Sequence, residues 1–512
     1  MRFFWVYVLC SLVLYSQPNP ESLADKRTVK TIFLNANAYV DASTFVPSCT
    51  LVVEGDVLLA VGKNLELQNW SGFERRDLKG NFVYPAFIDV FLPMVANEMK
   101  HTSKPRPQYQ TEKKGNQHWN QSVRPELQIH SFLNAEQVKT DEMTKKGIAI
   151  AQVVPQDGIV RGVGALVTMN KSEINNGLYV LRTESCMGFS FSKGSSTQEY
   201  PTSRMGAIAL LRQFWEETKF YRQSKKVEKN VAYEEFNRLS NKPFVFEVNH
   251  KNDLFRADKL SKEWAKPFWI KTSGDEYQAE HLLKNLNSKL IVPVQLPAVM
   301  DLDFLHAEEW IEHRDLKHWQ SAPFALAFIE KNKLDICLTA HGSKDEKTFF
   351  KNIRTFINHG ATHEFVLKSF TQNPAQWLGI NQDYGSLQAN KKASFWISNA
   401  PLWDSTFTLL ETWVDGNSHV YVPKPVHQLN GKIAIKNRIN DSLMATFHIS
   451  DKSKNIELRN GKKIEISSSS VNYFTKFICK DSAIQIELLH FHNSDSLKGW
   501  FEESTGKRTS VY

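Results

Sequence analysis

Sixteen histidines and five cysteines are available for metal or nucleophile chemistry, but few of them stand at useful spacings. His490-Phe491-His492 is the one His-x-His. On a strand its two rings share a face about 7 Å apart, a separation that could grip a metal ion, or that simply faces solvent. Cys10, Cys49, Cys186, Cys337 and Cys479 lie far apart, with no Cys-x-x-Cys and no Cys/His cluster, which excludes a zinc-finger type of site. No Gly-x-Ser-x-Gly elbow supports serine-hydrolase chemistry. The run RGVGALV (161–167) lacks the third glycine and the strand–helix context of a dinucleotide loop. His250, His313, His318, His359 and His363 fall in loop or helix contexts and read as surface or supporting residues. Arg161 follows a strand and Arg204 starts a helix; both read first as salt-bridging residues and second as candidates to line the mouth of the fold.

The elements that would position such groups are written in the pattern of apolar residues. The runs 147–155, 177–185, 243–249, 267–273, 289–296 and 334–342 are short, continuous and apolar. Between them lie helical stretches such as 204–223 and 255–265. Apolar strands alternating with helices imply a parallel sheet buried on both faces. About eight such units across 84–382 make a closed (β/α)8 TIM barrel the expected architecture, with an open doubly wound sheet as the alternative. Residues 28–83 are strand-like without a helix, and β-type patterning returns over 383–423; a resemblance to a known family, carried by motifs in 80–93 and 367–404, implies that the two form a flanking composite β-sandwich. Residues 94–135, with Pro105, Pro107 and Pro125, read as a long loop. Residues 424–512 read as a C-terminal β-rich extension.

The chain is 512 residues long, with 41% hydrophobic and 23% charged residues, which excludes a disordered or fibrous protein. Its net charge of +8 comes without a long basic run, so no nucleic-acid surface is indicated. Residues 1–16, MRFFWVYVLCSLVLYS, have a basic start and an apolar stretch too short to span a bilayer comfortably. They read as a signal peptide, with a retained anchor as the alternative. The mature chain is then expected to be exported, periplasmic or extracellular, with no stable membrane insertion.

Two stretches in this frame, GNFVYPAFIDVFLP (80–93) and LKSFTQNPAQWLGINQDYGSLQANKKASFWISNAPLWD (367–404), resemble the amidohydrolase superfamily, in its imidazolonepropionase-like branch. That likeness implies a metal-dependent (β/α)8 barrel beside a small β-sandwich built from both chain ends. YPTSRMGAIALLRQ (200–213), FRADKLSKEWAKPFWIKTSGDEYQ (255–278) and DLKHWQSAP (315–323) further resemble the first, metal-ligand-poor unit of tandem exported amidohydrolases. The chain ends about where that first unit would end.

The resemblance also implies where metal ligands should stand, and the residues there are of the wrong kind. The first barrel strand reads Asp89-Val90-Phe91-Leu92-Pro93, with Phe91 and Pro93 in place of two histidines. Glu247 stands near the ligand position of strand 5, Lys271 replaces a histidine on strand 6, and His341 replaces the strand-8 aspartate. These five are degenerate ligand positions, and no catalytic, cofactor or metal-ligating residue is assigned. Lys271 is expected to occupy the vacated place, neutralised by Glu247 or by Asp89, with a solvent-facing rim position as the alternative. Three functions follow. The first is a non-catalytic unit supporting a separate active amidohydrolase partner, with no cofactor. The second is a metal-dependent hydrolase of C–N bonds in cyclic amides or small peptides, holding zinc through relocated ligands. The third is a small-molecule binding protein using the barrel mouth.

Overall fold

A computed structural model describes residues 29–421, except 67, 69, 97–107, 112, 135, 137, 172–177, 225–227, 280–282 and 301–310, and gives backbone strands within 431–511. The signal-peptide reading of residues 1–16 lies outside the described residues.

The first sheet is assembled from both ends of this span. Strands β1 (Lys30–Tyr39), β2 (Phe45–Glu54), β3 (Val57–Gly62), β4 (Glu74–Asp77) and β5 (Phe82–Pro85) come from the amino-terminal part. Strands β14 (Phe395–Ser398), β15 (Leu409–Val414) and β16 (Asn417–Val420) come from the other. The order is β16-β15-β14-β5-β1-β2-β3, with β4 also pairing β1, so β5 against β14 is the seam between distant stretches. Hydrogen bonds connect all eight strands into one sheet built from both ends of the span, as the composite module requires. Arg76 and Glu411, 335 positions apart, brace the seam with a two-pronged bond whose Nη1–Oε2 arm is 2.6 Å. The β15–β16 hairpin turns on Asp415-Gly416, both at positive φ (47° and 79°), the backbone a type I′ turn demands.

The second sheet carries the site. It runs β13-β12-β11-β10-β9-β8-β7-β6, with β6 (Phe87–Met94), β7 (Ile148–Pro155), β8 (Val160–Lys171), β9 (Leu178–Ser190), β10 (Phe244–Glu247), β11 (Phe268–Lys271), β12 (Lys289–Pro293) and β13 (Ile336–Thr339). All six apolar runs named from the sequence become strands of it. Helices α1 (Arg204–Gln223), α2 (Val231–Arg238) and α3 (Lys251–Glu263) separate β9, β10 and β11. Ser203, Asn230 and His250 cap their amino ends with side-chain acceptors.

The sheet is not wholly parallel, and this corrects the barrel of eight parallel βα units. Strand β8 runs antiparallel to β7 and to β9. Only Gln156-Asp157-Gly158-Ile159 joins β7 to β8. A parallel crossover needs a dozen residues or more, so so short a link permits only a hairpin. The glycines of RGVGALV are explained by this packing. A Cβ at Gly162 (φ +103°) would meet the Leu127 carbonyl oxygen at 2.4 Å, and one at Gly164 would meet Cys186 Sγ at 2.5 Å.

The edge strands β6 and β13 are tied to each other by side chains: Thr339 Oγ1 donates to the Phe91 carbonyl (3.1 Å) and Ala340 N–H to Asp89 Oδ2 (2.8 Å). Asn373, from the Gln-Asn-Pro-Ala stretch of the second motif, donates through Nδ2 to the Ile336 carbonyl at 2.8 Å and so anchors β13. The core between sheet and helices is rich in aromatic rings. Phe189, Phe236, Phe244 and Phe268 are fully or almost fully buried, and Trp215 stacks on Trp264 with ring centroids 4.5 Å apart. Burying each such ring contributes on the order of 1.5–3 kcal/mol.

Within 94–135, residues 108–134 contain one short helical turn (Ile129–Phe132) and otherwise loop backbone, laid along β8 by bonds such as Arg124 N–H to the Val160 carbonyl. Residues 431–511 contribute strands in two antiparallel sheets of four and five strands. The side chains of His490 and His492 lie outside the described residues. Cys49, Cys186 and Cys337 are buried free thiols.

Candidate functional site

Strand pairing brings a charged group to one end of the second sheet. Parallel β10 and β11 place Glu247 directly opposite Lys271, and β9 places Ser190 on the other side of Glu247. Directly paired residues on parallel strands share a face, so the carboxylate and the ammonium must point the same way. The reversal of β8 delivers Arg161 to this end, because the start of an antiparallel strand lies where its parallel neighbours finish. Arg161 crosses β9 at Gly188, where an added Cβ would stand 3.3 Å from the Arg161 Cβ.

Arg161 Nη1 donates to Glu247 Oε2 at 2.6 Å, and Gln156 Nε2 donates to the same oxygen at 3.1 Å. Lys271 Nζ lies 3.8 Å from Glu247 Oε1. The three charged side chains are only 6%, 10% and 9% exposed for Arg161, Glu247 and Lys271. Burial opposes ionisation of Glu247, but Arg161 and Lys271 together outweigh it and hold its carboxyl below the usual range. Burial pulls the Lys271 ammonium down, and Glu247 and Glu276 offset only part of that.

Phe91 and His341 complete the cluster. Lys271 Nζ sits 5.8 Å from the centroid of the Phe91 ring, and His341 packs edge-on against the same ring at 5.5 Å. Burial, with Lys271 nearby, pushes His341 down to about 4, so its imidazole is neutral at physiological pH. Pro93 lies two residues further along β6 and is partly buried.

Asp89 is elsewhere engaged. It is fully buried, accepts from Phe91 N–H (2.9 Å) and Ala340 N–H (2.8 Å), and is pushed up to about 6 by burial. Lys146 offsets part of that rise. Of the two partners foreseen for Lys271, Glu247 is therefore the one present. Arg204 takes the salt-bridging role: it is half-exposed at the start of α1 and pairs with Asp253 Oδ2 at 3.1 Å. The sequence reading missed Gln156, Lys146 and Glu276. Gln156 opens the β7–β8 hairpin and was findable from the Gln-Asp-Gly turn. Glu276 is buried, accepts from Gly274 N–H at 3.0 Å, and is pushed up to about 7 by burial; nothing in its spacing marks it.

Among the described residues, these five places offer a divalent ion few ligands. The places implied for imidazoles hold a phenyl ring, a pyrrolidine ring and an ammonium. The Glu247 carboxylate is already bonded to a guanidinium and an amide. A zinc ion needs three or four N, O or S ligands, and a like charge about 4 Å away costs roughly 4 kcal/mol per unit-charge pair at an effective dielectric constant of about 20. Among the described residues no group of three His, Cys, Asp or Glu side chains is arranged to hold a metal.

No family model matches the sequence, and no curated protein matches it. Solved structures do. An amidohydrolase from Thermotoga maritima MSB8 superposes on 76% of this chain and 99% of its own, with a TM-score of 0.58 at 18% identity. A β-aspartyl dipeptidase from Fervidobacterium islandicum AW-1, solved with β-Asp-Leu dipeptide, covers 77% of this chain and 96% of its own at a TM-score of 0.43 and 13% identity. A putative prolidase from Bifidobacterium longum covers 78% and 96% at 0.42 and 11%. On the first of these likenesses, the chain has the amidohydrolase fold.

Proposed function

We propose that this protein is an amidohydrolase-superfamily member that does not run metal-assisted hydrolysis with its own residues, and that it serves as a non-catalytic unit beside an active amidohydrolase. The observation that carries this reading is the Lys271 ammonium, set between Glu247 and the Phe91 ring where a divalent ion would be needed to polarise a carbonyl and activate water. The side-chain ties between β6 and β13 favour a second sheet closed into a barrel, with Arg161, Glu247 and Lys271 at its mouth. The stretches 200–213, 255–278 and 315–323 favour kinship with the first unit of tandem exported amidohydrolases, and residues 1–16 favour export to the periplasm or the extracellular space.

The test has two arms. The purified chain, alone and after incubation with zinc, is assayed on Xaa-Pro and β-aspartyl dipeptides; no turnover is expected. The native protein is then captured from its own cells, and an amidohydrolase that retains both strand-1 histidines is expected to co-purify and to lose activity when separated. Turnover by the chain itself, abolished by Glu247→Ala or His341→Ala, overturns the reading.

A further inference from the structure

Among the described residues, the mouth cluster is left with unspent hydrogen-bonding capacity and an uncompensated charge. Lys271 presents three N–H donors, yet its nearest carboxylate oxygen, at 3.8 Å, is beyond hydrogen-bond distance. The other oxygen of that carboxylate, Oε2, is occupied by Arg161 and Gln156. On its remaining side Lys271 has the Phe91 ring. Buried ammonium groups are ordinarily paired and bonded, so donors in this state call for an acceptor from outside. The charges facing the cluster give the sign and size of that acceptor. Arg161 and Lys271 supply two positive charges against the one negative charge of Glu247. His341 is neutral, Asp89 is turned to backbone N–H groups, and Glu276 is buried and protonated below neutrality. Among the described residues of the cluster, one positive charge remains.

We propose that the mouth binds a small monocarboxylate, whose oxygens take the free N–H donors of Lys271 while its apolar part lies against Phe91. An organic anion thereby occupies the region where related folds would use a cation. This inference rests on the metal-free reading of the mouth, and the two can fail separately: zinc analysis tests that reading, whereas the experiment here tests the anion.

The probes are benzoate and its uncharged isostere benzamide, titrated at pH 6 into the full chain. Benzoate is expected to bind and raise thermal stability, since a ligand specific for the folded state stabilises it, while benzamide is not. Lys271→Met, which keeps the apolar stem, is expected to weaken benzoate at least about tenfold, or roughly 1.4 kcal/mol. Should that variant not fold, the wild-type protein still decides. Benzoate should slow reductive methylation of Lys271 several-fold, read by peptide mass spectrometry, and leave the exposed lysines unchanged. Equal responses to benzoate and benzamide, or no protection of Lys271, overturn the proposal.

Discussion

Replacing Glu247 by Gln removes one negative charge and leaves its shape, so it isolates what the carboxylate does for Arg161 and Lys271. Two attractions vanish, one across a 2.6 Å hydrogen bond and one at 3.8 Å. At an effective dielectric constant of about 20, each unit-charge pair near 4 Å is worth roughly 4 kcal/mol. Relief from desolvating the carboxylate returns part of that sum. Breaking a buried pair while its partners remain typically costs about 3–5 kcal/mol, and Glu247→Gln is expected to fall in that range because all three side chains are nearly sealed from solvent. Urea unfolding followed by circular dichroism measures it. The double variant Glu247→Gln/Lys271→Met removes one stranded cation and should recover about 1–2 kcal/mol of the loss, a non-additivity expected of groups in contact. A Glu247→Gln protein within about 0.5 kcal/mol of wild type, or strict additivity in the double variant, would refute the buried-charge account.

Other consequences follow from the same geometry. The folded-state pKa of Glu247 is lowered, so its contribution is present above the unfolded value of about 4.3 and lost as pH falls through the folded one; acid unfolding of Glu247→Gln should be correspondingly less steep over that window. Asp89 has the opposite sign: raised to about 6, it favours folding most below its unfolded value and progressively less as pH climbs through 6. Asp89→Asn should flatten stability between about pH 4 and 6 while costing about 1–3 kcal/mol, because one amide oxygen cannot serve both Phe91 and Ala340 N–H groups. His341 should show no protonation by NMR until pH nears about 4, and a midpoint near 6.5 would place it in solvent. Gly162→Ala should destabilise by about 2 kcal/mol or more in urea melts, since its Cβ would stand 2.4 Å from the Leu127 carbonyl oxygen.

How much of this could be read from residues alone differs between sheet and site. Runs such as KLIVPVQL and LDICLTAHG announce buried strands because nothing but apolar packing explains them, and the Gln-Asn-Pro-Ala stretch marks a helix that anchors β13 through Asn373. β8 escaped that reading because its glycines imitate a phosphate loop; their cause is close approach by Leu127, Cys186 and Val153, which no local pattern reveals. The reversal of β8 was, however, implicit in the four residues between Pro155 and Val160. At the site, Glu247 and Lys271 were legible as opposite charges at corresponding ends of adjacent strands. Arg161 was legible only as a candidate, since its role depends on crossing β9 at Gly188. Arg204 has the same chemistry and a helix start, but its nearest carboxylate, Asp253, is on α3. Gln156 was legible only as the start of a turn, and Glu276 enters through tertiary placement alone.

The central claim is that a fixed ammonium and its carboxylate occupy the place where a catalytic ion would have to sit. Zinc titrated into the full-length protein, followed by desalting and elemental analysis, tests it most directly. The account predicts that any zinc retained is unaffected by Glu247→Ala and by His341→Ala. About one zinc per chain, lost on either substitution, would contradict it.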